Sequence, residues 1–184
     1  MENFTASLTI MKKFFFLLIL LFLLFLELVW GPHLSIGLAR PNFILIGFLV
    51  CFLTLGVKAT LEWYFPFLLF LDFSSSLPFG VVTLSFLLVI FLIRILSLKL
   101  FRERDVSAII LVTILGSIIY NLALIILVKL FNWMRLSDLQ ADLFYDLKYL
   151  VLPTIFYNLV VTVFSYRILK YCYSVLLKTE EQIK

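Results

Sequence analysis

YFPFLLFLDFSSSLPFGVVTLS, residues 64–85, joins two apolar runs through a short polar turn. The first run contains a single carboxylate, Asp72, and the turn contains a serine cluster, Pro78 and Gly80. A charge near the centre of a membrane-spanning helix costs at least about 2.5 kcal/mol, so a carboxylate placed there normally has a partner or a role. We therefore expect two apolar helices that are organised around Asp72.

Two compatible roles are open for Asp72. As a capping residue, it would lie at a helix end and accept hydrogen bonds from the free N–H groups of the Ser74–Ser76 turn. As a contact residue, it would also bond another helix or a partner protein. The capping role alone is the simpler interpretation, and both roles can hold at once.

The composition of the whole chain is that of an integral membrane protein. Of the 184 residues, 64% are hydrophobic and only 14% are charged, and the mean hydropathy is +1.17. A water-soluble domain of this size keeps a charged exterior and could not bury so much apolar surface. Runs such as Phe14–Leu26 contain no polar residue and so lack the alternation of a membrane β-barrel. The sequence therefore predicts an all-α membrane protein.

Hydropathy divides residues 1–184 into about six membrane-spanning helices in one domain, since each crossing requires roughly 20 apolar residues. The predicted spans are residues 14–30, 43–57, 61–73, 78–98, 106–128 and 149–169. Residues 137–147 are predicted to form an amphipathic helix on the membrane surface, because a capping box precedes leucines at helical spacing. Residues 170–184 are predicted to form a basic cytoplasmic tail.

The net charge of +4 is explained by topology rather than by nucleic-acid binding, because basic residues cluster at the ends of apolar segments. One side of the membrane receives nine of them: Lys12, Lys13, Lys58, Lys99, Arg102, Arg104, Lys170, Lys178 and Lys184. The other side receives mainly Arg40, Arg135 and Lys148. We expect both termini to be cytoplasmic and Arg40 to lie on the outer side.

Few polar residues lie inside the predicted spans. Asn121 and Asn158 are the two intramembrane amides, and such amides usually bond across to a neighbouring helix. We expect them to make a structural contact with each other rather than to bind a ligand. Three aspartates four residues apart, Asp138, Asp142 and Asp146, could hold a metal ion, but a solvated helix face explains them better because no His or Cys lies nearby.

Catalytic patterns are missing from the sequence. It contains no glycine-rich phosphate loop, no Ser/His/Asp set and no zinc-ligand spacing. Ion-coupled transporters usually contain several intramembrane ionisable residues that form a relay, whereas here the charged residues lie near predicted helix ends. We therefore expect neither an enzyme nor a cofactor or metal site, and the charge content fits a scaffold or a binding module.

The chain resembles the bacterial rod shape-determining membrane proteins of the MreD family. The resemblance rests on three motifs in order along the chain: Arg40-Pro41-Asn42, Leu71-Asp72 through Gly80, and Leu100-Phe101-Arg102. Chain length, number of spans and the basic tail agree over nearly the whole chain. The sequence departs from the family pattern at Tyr64 and Leu68, where members often have glycine, and at Phe79, which replaces the leucine of a Leu-Gly pair.

This resemblance implies a non-catalytic component of the cell-elongation machinery in a bacterial cytoplasmic (inner) membrane. Members of the family bind the bitopic protein MreC and, with it, support the glycosyltransferase RodA and its penicillin-binding transpeptidase, which are linked to MreB filaments. Arg40, Pro41, Asn42, Asp72 and Gly80 are then family-motif residues that are structural or face a partner. The only other expected contacts are with membrane lipids.

The MreD family is also similar in fold to the S-components of energy-coupling-factor transporters, which are compact bundles that bind vitamins. That similarity implies an alternative function, a small-molecule binding module with an extracytoplasmic pocket. A vitamin site requires several convergent polar and aromatic groups. The sequence offers Asp72, three serines and few others, so the scaffold is the favoured interpretation.

Overall fold

The computed structural model describes residues 2–36, 39–100, 106–135 and 150–181. Within these ranges the regular elements are helices, and extended pairing is limited to an isolated bridge between Ile36 and Ala39. The prediction of an all-α protein is confirmed for this part of the chain. The predicted surface helix at residues 137–147 lies outside the described residues.

The helices follow one another with short connections. In chain order they are α1 (Glu2–Phe25), a π-helix (Leu26–Trp30), α2 (Gly31–His33), α3 (Phe43–Leu55), α4 (Val57–Ser74), α5 (Val81–Leu100), α6 (Val106–Trp133) and α7 (Leu152–Glu181). Three stretches are long and apolar enough to cross a membrane: Phe14–His33, Ser107–Trp133 and Leu152–Leu169. Phe43–Leu55 and Val81–Leu96 are shorter apolar helices. The chain therefore has the transmembrane-helix character that its composition predicts.

Glycines with positive φ separate the consecutive helices α3, α4 and α5. Gly56 (φ 84°) ends α3, and α4 begins at the next residue. Gly80 (φ 94°) directly precedes α5. An L-amino acid with a side chain is strained in this region of φ, whereas glycine is not. These two residues therefore set where the helices reverse, and the α3–α4 break comes earlier than the predicted gap at residues 58–60.

Helix α3 forms the centre of the bundle. Every residue from Ile44 to Phe52 is buried, and α3 packs against α1, α4, α6 and α7. A helix that is apolar on all sides is expected to be surrounded by other helices. Gly47 permits the closest approach, because a Cβ atom there would contact Leu23 and lie 2.7 Å from the Tyr64 hydroxyl.

Large apolar side chains cover much of the outer surface of the bundle. Phe73 and Phe164 are among the most exposed, with 78% and 77% of their surfaces accessible. Water-soluble monomers rarely expose so many large apolar residues, whereas lipid tails accept them without cost. The hydrophobic exterior and the buried α3 are consistent with a bundle surrounded by lipid.

Candidate functional site

Asp72 caps the helix that follows it in the chain. The side chain lies in the last turn of α4 and is 2% exposed. Its carboxylate accepts hydrogen bonds from the Val82 N–H at 2.9 Å and the Thr83 N–H at 3.0 Å, and it also accepts from the Thr83 hydroxyl. The first N–H groups of a helix have no partner within it and carry partial positive charge. Asp72 therefore stabilises the start of α5.

The serine turn does not supply these donors, contrary to the sequence-based expectation. The Ser74 hydroxyl donates to the Phe70 carbonyl at 2.9 Å, and the Ser75 hydroxyl donates to the Asp72 carbonyl at 3.1 Å. Both serines thus bond the C-terminal turn of α4. The left-handed backbone at Gly80 then brings the first turn of α5 over the Asp72 carboxylate.

Glu27 caps α3 in the same way, a role that the sequence analysis did not assign. It lies in the π-helix Leu26–Trp30 and is 9% exposed. Its Oε2 atom accepts from the Phe43 N–H at 2.7 Å and the Ile44 N–H at 3.4 Å. The π-helical turns of proteins occur frequently at functional sites. The only sequence signal was a carboxylate at the end of one apolar run and before the next.

A chain of amide hydrogen bonds joins three helices beside Glu27. The Asn42 side chain accepts from the Leu45 N–H at 2.7 Å and so caps α3. The Asn42 N–H donates to Asn158 Oδ1 on α7 at 2.8 Å, and Asn158 Nδ2 donates to Ser117 Oγ on α6 at 2.9 Å. Asn121 instead bonds within α6, donating to the Ser117 carbonyl at 2.8 Å.

The expected contact between Asn121 and Asn158 is therefore replaced by contacts of each with Ser117. Asn121 lies one helical turn beyond Ser117, so its amide reaches the serine carbonyl of its own helix. Asn158 reaches the serine hydroxyl and links α7 to α6 and α3. Pro41 lies just before the helix, because Asn42 is the N-cap of α3.

A cavity of about 380 Å³ lies beside these capped helix ends. We call it the Arg40 cavity, and its wall and floor include Glu27, Arg40, Asn42, Phe86, Tyr120 and Leu124. Residues Ser74–Ser76 lie along it as well. The Tyr120 ring lies against the Phe86 ring, with their centroids 4.9 Å apart. The cavity is thus part polar and part aromatic.

Arg40 is the cation of this cavity, and its side chain is exposed. It interacts electrostatically with Glu27. Exposed Lys58 and Glu62, which lie elsewhere on α4, form an ion pair at 3.9 Å. Glu27 is therefore near Arg40 without forming a close ion pair with it, and the Asp72 carboxylate bonds α5.

The cavity lies far from either end of α6. Ser117 and Tyr120 fall near the middle of the 27-residue apolar stretch Ser107–Trp133. At 1.5 Å per residue, Tyr120 lies roughly 20 Å from the Trp133 end. Polar and charged groups beside such an apolar stretch are costly in a membrane protein and usually have a function. The position of the cavity therefore marks it as the candidate site.

No family model matches the chain, and no curated protein or solved structure matches it.

The chemistry of the site consequently follows from its own residues. Within the described ranges, no group of three or more His, Cys, Asp or Glu residues could hold a metal ion. Of the residues expected from the sequence, Arg40, Asn42, Asp72 and Asn158 are brought to this end of the bundle, and Gly80 shapes the turn beside it. The arrangement can hold helices in place and can bind a small polar group at Arg40.

Proposed function

We propose that this protein is a non-catalytic membrane scaffold of the bacterial cell-elongation complex, which binds MreC and supports peptidoglycan synthesis and cell shape. The resemblance of its motifs to the MreD family is the basis of the proposal. The structural observation that supports it is the use of the motif residues as helix caps. Asn42 caps α3 and Asp72 caps α5, so the motifs position helices rather than reacting groups.

The hydrogen bonds of the carboxylates favour a fixed scaffold over an ion-coupled transporter. Asp72 accepts from two backbone N–H groups and a hydroxyl, and Glu27 accepts from two backbone N–H groups. A proton or ion relay requires carboxylates that change partners during the cycle. Releasing either carboxylate here would leave helix N–H groups unpaired in the interior, at a cost of about 1–3 kcal/mol each.

In this proposal the chain spans a bacterial cytoplasmic membrane six times, and both termini are cytoplasmic. Helix α3, with 13 residues, is only about 20 Å long and shorter than the hydrocarbon core. Short spans are accommodated by local thinning, by tilt or by burial among longer helices. The burial of α3 inside the bundle supports the last of these, and it suits a compact fold like that of the S-components.

One observation favours the alternative, a vitamin-like small-molecule binding module. The volume of the Arg40 cavity, about 380 Å³, falls within the roughly 300–1,000 Å³ that is common for ligand pockets. Binding modules and scaffolds can share such a cavity. The two functions differ in their protein partners, which gives a direct test.

The test is co-purification of the tagged full chain from its native membrane. We expect MreC-like and RodA-like proteins with the wild type and with Glu62→Ala, a control at an exposed carboxylate of α4. We expect less of both with Asp72→Ala, which loosens α5. Recovery of an energising ATPase module without any MreC-like protein would contradict the scaffold and support the transporter module.

A further inference from the structure

Arg40 is the cation of the Arg40 cavity, and within the described residues its guanidinium N–H groups have no hydrogen-bond acceptor. Both carboxylate oxygens of Asp72 accept bonds from α5, and Oε2 of Glu27 accepts from α3. The Asn42 side chain accepts from Leu45. An arginine has five N–H donors, and within the described residues Arg40 makes no hydrogen bond or close ion pair, only its electrostatic interaction with Glu27.

The two carboxylates of this region do not cancel the attraction of Arg40 for an anion. Each lies against a helix N-terminus, where the aligned peptide dipoles amount to roughly half a positive charge. Glu27 faces the first turn of α3, and Asp72 faces the first turn of α5. Part of their charge is therefore balanced by α3 and α5. Arg40 attracts Glu27 without forming a close ion pair with it, so the guanidinium N–H groups stay open to a ligand.

The deeper lining of the cavity is aromatic and apolar. Phe86 and Tyr120 are 1% and 9% exposed, and Leu124 is half-buried beside them. The ring centroids of Phe86 and Tyr120 are 4.9 Å apart, so they form one continuous surface. A ligand that reaches Arg40 can place an apolar part on this floor. The cavity is therefore suited to an amphiphile rather than to a bare ion.

We propose that the Arg40 cavity binds an amphiphile that has one oxyanion group, a phosphate or a carboxylate. The planar guanidinium of Arg40 donates two parallel N–H bonds to that group, as arginine does to carboxylates and phosphates in general. The apolar part of the ligand lies against Phe86, Tyr120 and Leu124. This binding is independent of the elongation role, so failure of either proposal leaves the other intact.

Two sources could provide this chemistry, a lipid headgroup or a free small molecule. Isothermal titration calorimetry on the purified full chain, in phosphate-free buffer, distinguishes them with two probes. Dihexanoyl phosphatidic acid represents the lipid, and phenyl phosphate represents the free ligand. Phenol serves as the neutral control, and we expect no saturable binding of it. Saturable binding of either phosphate supports the site, and the probe that binds identifies the source.

The decisive variant is Arg40→Gln, with Arg135→Gln as the matched control. Arg135 is an exposed arginine beyond the end of α6 and is not part of the cavity lining. We expect Arg40→Gln to lower the affinity for phosphate roughly tenfold or more, since a charge-assisted bidentate contact is lost. We expect Arg135→Gln to bind as the wild type does. Equal affinity in all three proteins, or no saturable binding of either phosphate, would overturn the proposal.

A second variant tests the apolar floor and does not depend on the folding of Arg40→Gln. Leu124→Phe retains Arg40 but adds volume to the cavity lining, so we expect it also to weaken phenyl phosphate binding several-fold. Circular dichroism and size-exclusion profiles show whether each variant is folded. If Arg40→Gln does not fold, Leu124→Phe decides, and an affinity equal to that of the wild type would contradict binding in this cavity.

Discussion

Asp72 directs both carboxylate oxygens at the first turn of α5, so the role of each oxygen can be tested by substitution. Oδ1 accepts from Val82, and Oδ2 accepts from Thr83. An asparagine would retain one acceptor and turn an N–H₂ group toward a donor. We therefore expect Asp72→Asn to be less stable than the wild type and Asp72→Ala to lose more, about 2 kcal/mol.

Thermal unfolding in detergent measures this order of stability for the Asp72 variants. Glu62→Gln is the control, because its exposed i,i+4 pair with Lys58 contributes little. If Asp72→Ala unfolded at the same temperature as the wild type, the cap would be dispensable for stability.

Gly47 allows a second prediction at the scale of one residue. A Cβ atom there would contact Leu23 and lie 2.7 Å from the Tyr64 hydroxyl, so the buried side chains of Leu23 and Tyr64 would have to shift. We expect Gly47→Ala to lower the free energy of unfolding by about 1–3 kcal/mol, as overpacking usually does. Gly31→Ala is the matched control, since the nearest atom to its Cβ is the Leu26 carbonyl oxygen at 3.7 Å. Chemical denaturation measures the free energy of unfolding of both variants. Equal values for Gly47→Ala and Gly31→Ala would contradict close packing at Gly47.

Asn158 acts at the scale of helices, because one side chain joins α7 to α3 and α6. Asn158→Ala removes the bonds to Asn42 and Ser117 and leaves the half-buried Asn42 N–H without its partner. We expect a loss of about 1–3 kcal/mol. Asn121→Ala removes a bond within α6 and should cost less. The comparison uses thermal unfolding of both variants, and an equal or larger loss for Asn121→Ala would refute the linking role of Asn158.

The sequence predicted the helices better than it predicted their hydrogen-bond partners. Apolar runs indicated where the long helices lie, since burial of backbone groups in an apolar segment requires a helix. Helix α1 begins earlier and α7 ends later than the predicted spans. The acceptor role of Asp72 also followed, because a carboxylate in such a run needs donors. Its donors did not follow, since the backbone at Gly80 determines which N–H groups face it. The Glu27 carboxylate accepts from the Phe43 N–H, 16 residues further along the chain. This contact depends on how the helices pack and could not be predicted from local sequence.

At the scale of the whole molecule, the placement of the bundle in the membrane is the main prediction. We expect Ser76 and the Arg40 cavity to face the outer side and Lys58 to face the cytoplasm, because lysine and arginine accumulate on the cytoplasmic side. Both positions are exposed in the structure. Single cysteines are introduced there after Cys51 and Cys172 are replaced by serine.

A membrane-impermeant thiol reagent applied to intact cells should label the cysteine at position 76 and not the one at position 58. Permeabilised cells, in which both should react, are the control. Labelling of position 58 alone in intact cells would require the opposite orientation.

The capping of α3 by Glu27 and of α5 by Asp72 has a consequence for biogenesis. Each carboxylate belongs to a helix that leaves the ribosome before the helix whose N–H groups it accepts. Until that later helix arrives, the carboxylate has no donors from it and is costly to place in lipid. We therefore expect the helix that contains Glu27 to insert more favourably when α3 pairs with it, and α4 when α5 pairs with it. This part of the bundle would then assemble in the bilayer as two helix pairs during translation. Glu27 caps the second helix of one pair, and Asp72 caps the second helix of the other.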